Sequence, residues 1–427
     1  MVIFFLSSLD SFLGPIGKYE GLRTVYDDTV LDRMAHYYTV IILCFYTMFS
    51  VTEEFLCEPI KCWFPEEFSE SEENFAHYVC WVSNTYYIPF SKPVPPQFEP
   101  RRQHEITYYQ WVPMVMLIMA FCFKFPRHLW KYMAQKSGVD VKRMLEMTVD
   151  TMDASTQDRE TNIKHVAMYI DSWCSGVNTY RGGIFALTRE KYQRKFETGY
   201  GRHYGNYLVT LALTIKFLYL LNAILQLFFL NEFLGGNDFY VYGYEVIYHV
   251  FIQGKWPGTH RFPTVTLCDF DLRQITNVQR FTLQCVLPVN FFNEKFFIFL
   301  WFWISLVVIC SAINFIRAIF LILHSEQKVF FTRKYLLMNF PYDEKNYHMN
   351  KLVRKFTENH LRQDGIFLLK LVSDNSSTVF VSDVVMQLWE LYLKRIYKSR
   401  LDKRKQCNGK KSVTVYLAEP SVYESCV

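Results

Sequence analysis

Several signatures are missing from this 427-residue chain, and each absence narrows what it can be. It has no glycine-rich phosphate loop, no H-E-x-x-H and no G-x-S-x-G, and its 11 histidines are scattered without metal-ligand spacing. The residues therefore point to no enzyme, no cofactor and no metal centre. None of its 11 cysteines falls in a C-x-x-C pair, which disfavours a zinc knuckle. Internal repeats are absent. The opening "MVIFFLSSLDSFLGP" lacks a basic n-region and a small-residue cleavage site, and Asp10 interrupts its apolar run, so no cleavable signal peptide is expected.

What the chain does have is apolar bulk: 51% hydrophobic and 18% aromatic residues, with a mean hydropathy of only +0.01. Such an average arises when greasy segments alternate with charged ones. Windows of about 20 residues, the length that crosses roughly 30 Å of hydrocarbon, pick out four spans. They cover 37–56, 106–123, 207–230 and 296–316, the last with an extension to 323. The expected fold class is mainly α: a four-helix transmembrane subunit with small disulfide-stapled α/β extracellular loops and a helical cytoplasmic domain.

Basic residues are retained on the cytoplasmic side of a membrane, so loop charge predicts orientation. Residues 124–206 carry 14 Lys+Arg against 9 Asp+Glu, and residues 324–427 carry 18 against 11. Residues 58–105 carry 4 against 8, and residues 231–295 carry 5 against 6. Both termini are therefore expected in the cytoplasm, with two outer loops at 57–105 and 231–295. The sequon Asn375 to Ser377 is then cytoplasmic and should be unmodified. Cysteine placement agrees, because disulfides persist outside the cytosol. Cys62 and Cys80 lie in one outer loop and Cys268 and Cys285 in the other. Four cysteines allow three connectivities, and the residues alone do not choose among them. Cys57 is a fifth, expected to be unpaired, while Cys44, Cys122 and Cys310 lie inside spans as packing residues.

The second span opens with "YYQWVP", Tyr108, Tyr109, Gln110, Trp111, Val112 and Pro113. Trp and Tyr favour the headgroup region, so Tyr108, Tyr109 and Trp111 read as an interfacial belt. Pro113 lacks an N–H and is expected to kink the helix. Charge inside a membrane needs a partner or a water path. Lys216, with Tyr219 and Asn222 on nearby faces, is read either as an interhelical hydrogen bonder or as facing water. Glu53 and Glu54 end the first span; around a pore they would form a cation-favouring ring, and elsewhere they are interfacial charges. Arg317 is expected to snorkel to phosphates.

Outside the spans, Val2, Phe5, Leu6, Leu9, Phe12 and Leu13 share one helical face, giving an amphipathic segment that lies on the membrane or folds into a cavity. "EEFSESEEN", residues 66–74, reads as a solvated acidic loop, while "RFPTVTLCDFDLR" and "RFTLQCVLPVN" read as short strands. Helical periodicity runs through 124–206 and 324–398, and the basic stretch 399–427 is expected to be disordered. Its last residues, "ESCV", place Ser425 two before Val427, a pattern fitting strand addition to a PDZ scaffold.

Beyond "YYQWVP", ordered blocks run from about residue 15 to 395. They include "DDTVLDRMAHYYTVIIL" (27–43), "PIKCWFP" (59–65), "YVCWVSNTYYIP" (78–89), "CDFDLR" (268–273), "QCVLPVNFFNEKFFIFLWFW" (284–303) and "LRQDGIFLLKLV" (361–372). The chain resembles the innexins, the gap-junction channel proteins of invertebrates. That resemblance implies cytoplasmic termini and a ring of subunits around a pore, eight by analogy, docking through outer loops to a ring in the apposed cell. Partners would be itself or other innexins, and membrane lipid. It further implies that Cys62 pairs with Cys285 and Cys80 with Cys268. Residues 1–36 would form an N-terminal pore helix and linker, making Val2, Phe5 and Leu9 pore-lining candidates, and the first span would contribute Glu53 and Glu54. Cys57 and Lys124 depart from the family pattern, Lys124 standing where an uncharged residue is expected.

Overall fold

The computed structural model describes residues 27–55, 58–138, 140–151, 156–179, 205–234, 246–248, 262–339 and 347–414. Four of its helices are long and apolar enough to cross a membrane: Val30–Glu54, Tyr109–Gln135, Tyr207–Phe233 and Pro288–Leu323. The first begins before the expected apolar window because Val30–Arg33 runs on through a π-helical stretch, Met34–Tyr38, into Thr39–Phe55. The second starts later than residue 106, because Glu105–Ile106 forms a strand and a 3₁₀ turn, Tyr109–Trp111, leads into the helix. It then runs through Lys124 and past Pro126 to Gln135, since amphipathic sequence continues the helix where hydropathy stops. The chain divides into two compact units.

The first unit takes in Val30–Leu129 and Ile215–Phe315. Beside its membrane helices it holds a five-stranded antiparallel sheet of β1 (Lys61–Cys62), β2 (Thr85–Tyr86), β3 (Glu105–Ile106), β4 (Val265–Gln274) and β5 (Asn277–Val286), in the order β1-β5-β4-β2-β3. The β4–β5 hairpin is its frame, and the three two-residue strands are too short to hold without it. Alternation in "VTLCDF" and "FTLQCV" turns Cys268, Phe270, Leu283 and Cys285 to a small core shared with Ile60, Ala76, Ile106 and Tyr109. The acidic stretch expected to be a loop instead starts a helix, α1 (Glu70–Val82). Ser69 and Glu72 form a capping box, with Ser69 N–H donating to Glu72 Oε2 at 2.9 Å, and carboxylates in the first turn suit the positive end of the helix dipole. A short helix, α2 (Phe98–Arg102), precedes β3.

The second unit takes in Trp130–Thr214 and Ile316–Val427 and is helical, as the periodicity predicts. Its helices outside the spans are α3 (Val141–Asp150), α4 (Thr156–Thr179), α5 (Ser325–Asn339), α6 (Tyr347–Lys355, continued by the π-helical Phe356–Leu361), α7 (Arg362–Asn375) and α8 (Thr378–Thr414). They enclose a core that includes Leu145, Ile170, Leu336, Phe356, Leu368, Val384 and Trp389. α8 carries on to Thr414, into the basic stretch expected to be disordered, where Lys, Arg and Gln are good helix formers.

Two polar devices fix this unit internally. Asp171 on α4 accepts hydrogen bonds from His360 Nε2 at 2.9 Å and Arg395 Nη2 at 2.5 Å, and despite burial these partners hold its carboxyl below the usual range. Asp364 on α7 caps the start of the third span: its Oδ1 accepts from Val209 N–H at 3.0 Å, and its own N–H donates to the Gly205 carbonyl at 2.9 Å. Gly205 has φ +69°, and a Cβ there would come within 2.6 Å of the Arg362 side chain, so glycine is required at this contact.

Candidate functional site: a stapled sheet and a polar ladder between spans

The sheet is closed by two disulfides that link its two segments of chain. Cys62 and Cys285 are direct cross-strand partners of β1 and β5 and are bonded to each other. Cys80, on the buried face of α1, is bonded to Cys268 of β4. The structure thus contains the pairing that the resemblance implies. Cys62, Cys80 and Cys285 place their sulfurs within 4.8 Å of one another, a metal-like spacing, but both pairs are oxidised and leave no thiolate to ligate.

A charged clamp completes the sheet. Asp269 on β4, its side chain only 3% exposed, accepts from Arg101 Nη1 at 2.9 and 3.1 Å, Tyr86 Oη at 3.0 Å and Thr282 Oγ1 at 2.7 Å. Burial, then the adjacent Asp269 charge, pushes the Tyr86 phenol up to about 12, so it stays a donor. Two residues further along β4, Arg280 forms a forked pair with Asp271 at 2.6 and 2.9 Å and lies over the Phe98 ring, against which Arg102 also packs. The hairpin tip carries Ile275 at φ +51°, a left-handed conformation unusual for a β-branched residue, and 97% exposed.

The "YYQWVP" residues join this sheet to the second span. Tyr109 is fully buried in the sheet core and Gln110 Nε2 donates to the Trp81 carbonyl. Tyr108 packs edge-on against Phe262 at 5.4 Å, and Trp111 stays outward-facing. Pro113 is the second residue of Val112–Gln135, in the first turn, where its missing N–H costs no helical bond; the proline inside the helix is Pro126. Glu54 is half-buried, with Ser50 Oγ 3.4 Å from its Oε1. Lys124 is buried within the second span. Val2, Phe5, Leu9, Cys57, Ser425 and Val427 lie outside the described residues.

The first span is tied to its neighbours by a ladder of polar bonds. Tyr46 Oη donates to Asn293 Oδ1 at 2.5 Å, with its ring stacked on Phe296. Trp303 Nε1 donates to Thr39 Oγ1 at 2.9 Å, and Thr39 Oγ1 donates in turn to the Met34 carbonyl at 2.7 Å. At the N-terminal end, Lys216 Nζ donates to Asp32 Oδ2 at 2.6 Å and to Asn314 Oδ1 at 3.2 Å, while Asn314 Nδ2 donates to Asp32 Oδ1 at 2.7 Å. Thr39 and Tyr46 are seven residues apart, close to two helical turns, and both bond to the fourth span, as Asp32 does through Asn314 across the intervening π-helical stretch. Lys216 therefore bonds between helices, the first of its two expected roles. Next to this clasp, His36 stacks on Tyr219 with ring centroids 5.8 Å apart. Sequence reasoning singled out Lys216 but passed over Asp32 and Asn314; the seven-residue spacing was the signal available for the first-span rungs.

Four membrane-length helices, with a disulfide-stapled sheet built from the segment between the first two and the segment between the last two, define a multi-span membrane protein. The innexin family model matches residues 27–392. The chain is 33% identical over 370 residues to Innexin-10 of Caenorhabditis elegans, covering 85% of this chain and 64% of that protein's length. It is 31% identical over 375 residues to Innexin unc-9 and 32% identical over 396 residues to Innexin-11 of the same organism, covering 92% and 82% of those proteins and 86% and 90% of this chain. The chain belongs to the innexin family, whose members are gap-junction channel proteins rather than enzymes.

Proposed function

We propose that this chain is the subunit of a gap-junction channel that passes ions and small molecules between adjacent cells through two docked rings. Membership of the family across most of the chain is the observation that carries this reading, and the stapled sheet supplies a rigid outer platform suited to docking. Conduction of this kind needs no nucleophile or cofactor: a water-filled path lowers the cost of crossing hydrocarbon, and pore width and ring charges set selectivity. In this reading both termini are cytoplasmic, residues 57–105 and 231–295 face the extracellular gap, and eight subunits form a ring. The N-terminal helix with Val2, Phe5 and Leu9 lies at the pore mouth, and Glu53 and Glu54 bias the pore toward cations.

Dual voltage clamp of paired cells expressing this chain alone, with single cells recorded alongside, tests the reading. Junctional current is expected. Current confined to single cells would make it a non-junctional hemichannel, and silence in both formats at confirmed surface expression would favour adhesion or scaffolding without conduction.

A further inference from the structure

The three rungs of the ladder differ in kind. Two are neutral hydrogen bonds, Thr39 to Trp303 and Tyr46 to Asn293, whereas the third is an ion pair, Asp32 to Lys216, with Asn314 bonded to both partners. Asp32 is 7% and Asn314 6% exposed, so the clasp is largely out of solvent. Lys216 lies nine residues into the third span from Tyr207, and Asn314 nine residues before the end of the fourth at Leu323. Both are therefore about 14 Å along antiparallel helices from ends on the same side. Stability alone does not account for a buried charge pair between helices, because well-packed apolar residues generally hold helices together as well.

The place of this rung identifies the role. Asp32 is two residues before the π-helical stretch Met34–Tyr38, where the regular i→i−4 hydrogen bonding of the first span is lost. A π turn inside a helix interrupts the regular bonding ladder and recurs at functional positions. The neutral rungs hold the helix on the far side of that turn, and the ion pair alone, of the three, holds the segment before it. Releasing the pair therefore removes one of the polar bonds that hold the N-terminal end of the first span before the π turn, while Thr39 and Tyr46 keep the remainder in place.

We propose that the Asp32–Lys216 pair, braced by Asn314, is a latch that positions the N-terminal end of the first span and so sets the balance between open and closed channel. The inference rests on the channel reading above and adds to it the residues that regulate conduction without lining the pore.

The test compares wild type with Asp32→Asn, Lys216→Gln, Lys216→Arg and the charge exchange Asp32→Lys with Lys216→Asp, in paired and single cells at matched surface expression. Both neutralised variants are expected to shift the open-to-closed ratio about fivefold or more in the same direction. Unitary conductance should stay unchanged, Lys216→Arg should behave as wild type, and the exchange should recover most of the shift. Should a neutralised variant fail to reach the surface, Asn314→Ala, which loosens the brace and keeps both charges, is expected to shift the ratio in the same sense. Wild-type gating in the variants, a changed unitary conductance, or an exchange no better than the sum of its parts would overturn the latch. Silence of the wild type would instead overturn the channel reading, so the two failures are distinguishable.

Discussion

Removal of the disulfides gives the most direct test of how the sheet is held. The bonds join residues 223 and 188 apart in sequence. By the chain-entropy relation, closing loops of that length restricts the unfolded chain by about 5 kcal/mol each. That is a ceiling, because membrane helices already hold the two segments near one another when the sheet opens. A loss of about 2–4 kcal/mol per bond is the working expectation. The sheet has little else with which to absorb it: β1, β2 and β3 are two residues each, and the shared core is small. Arg101 is the built-in reporter, since its side chain is 15% exposed and clamped to Asp269, which slows trypsin at this bond until the sheet opens. When opening is fast relative to cleavage, proteolysis tracks the population of the open form, and 2 kcal/mol corresponds to roughly 30-fold. In the full-length protein in lipid nanodiscs, Cys80→Ala with Cys268→Ala should speed cleavage after Arg101 by at least tenfold, and Cys62→Ala with Cys285→Ala comparably. Non-reducing peptide mapping of the wild type should recover both cross-links. Cleavage within twofold of wild type after both bonds are removed would refute the view that the disulfides hold this sheet closed.

Three further outcomes are expected. Asp364 has its pKa raised to about 6 from 3.8, because burial outweighs its backbone hydrogen bonds. The folded state therefore holds this proton more tightly, and the contribution is fully present below pH 3.8 and lost as pH rises to about 6, worth about 3 kcal/mol. Asp364→Asn should flatten thermal stability across that interval and raise it at pH 7.5, whereas Asp364→Leu, with no acceptor for Val209 N–H, should lower it. Ile275→Gly should stabilise the hairpin by about 1 kcal/mol in a thermal unfolding assay, since glycine adopts the left-handed region without strain. Deleting Val2 to Leu9 should alter unitary conductance or voltage response in single-channel recordings, and unchanged values for both would count against a pore-mouth role for that segment.

Much of this architecture was legible along the chain, for identifiable reasons. Hydropathy marks membrane helices because backbone groups in lipid must bond within their own segment, which makes the signal local. Strand alternation around Cys268 and Cys285 was equally visible. Composition misread residues 66–74, since carboxylates that look like a solvated loop are also what favours a helix N-terminus. Pro113 was read by residue type, but the effect of a proline depends on its place in the helix, and the first turn has no bond there to lose. Tyr109 looked interfacial because interface belts and buried sheet cores draw on the same amphipathic ring.

The sequence by itself determined four spans, two cysteine-bearing loops and a helical remainder, because each follows from periodicity or composition within one short segment. Tertiary structure alone decided which polar partners meet: Lys216 with Asp32 and Asn314, Asp171 with His360 and Arg395, and Asp364 with the start of the third span. Those bonds join residues between 98 and 224 positions apart. Their selection depends on how helices pack and strands register in three dimensions, which no local pattern encodes.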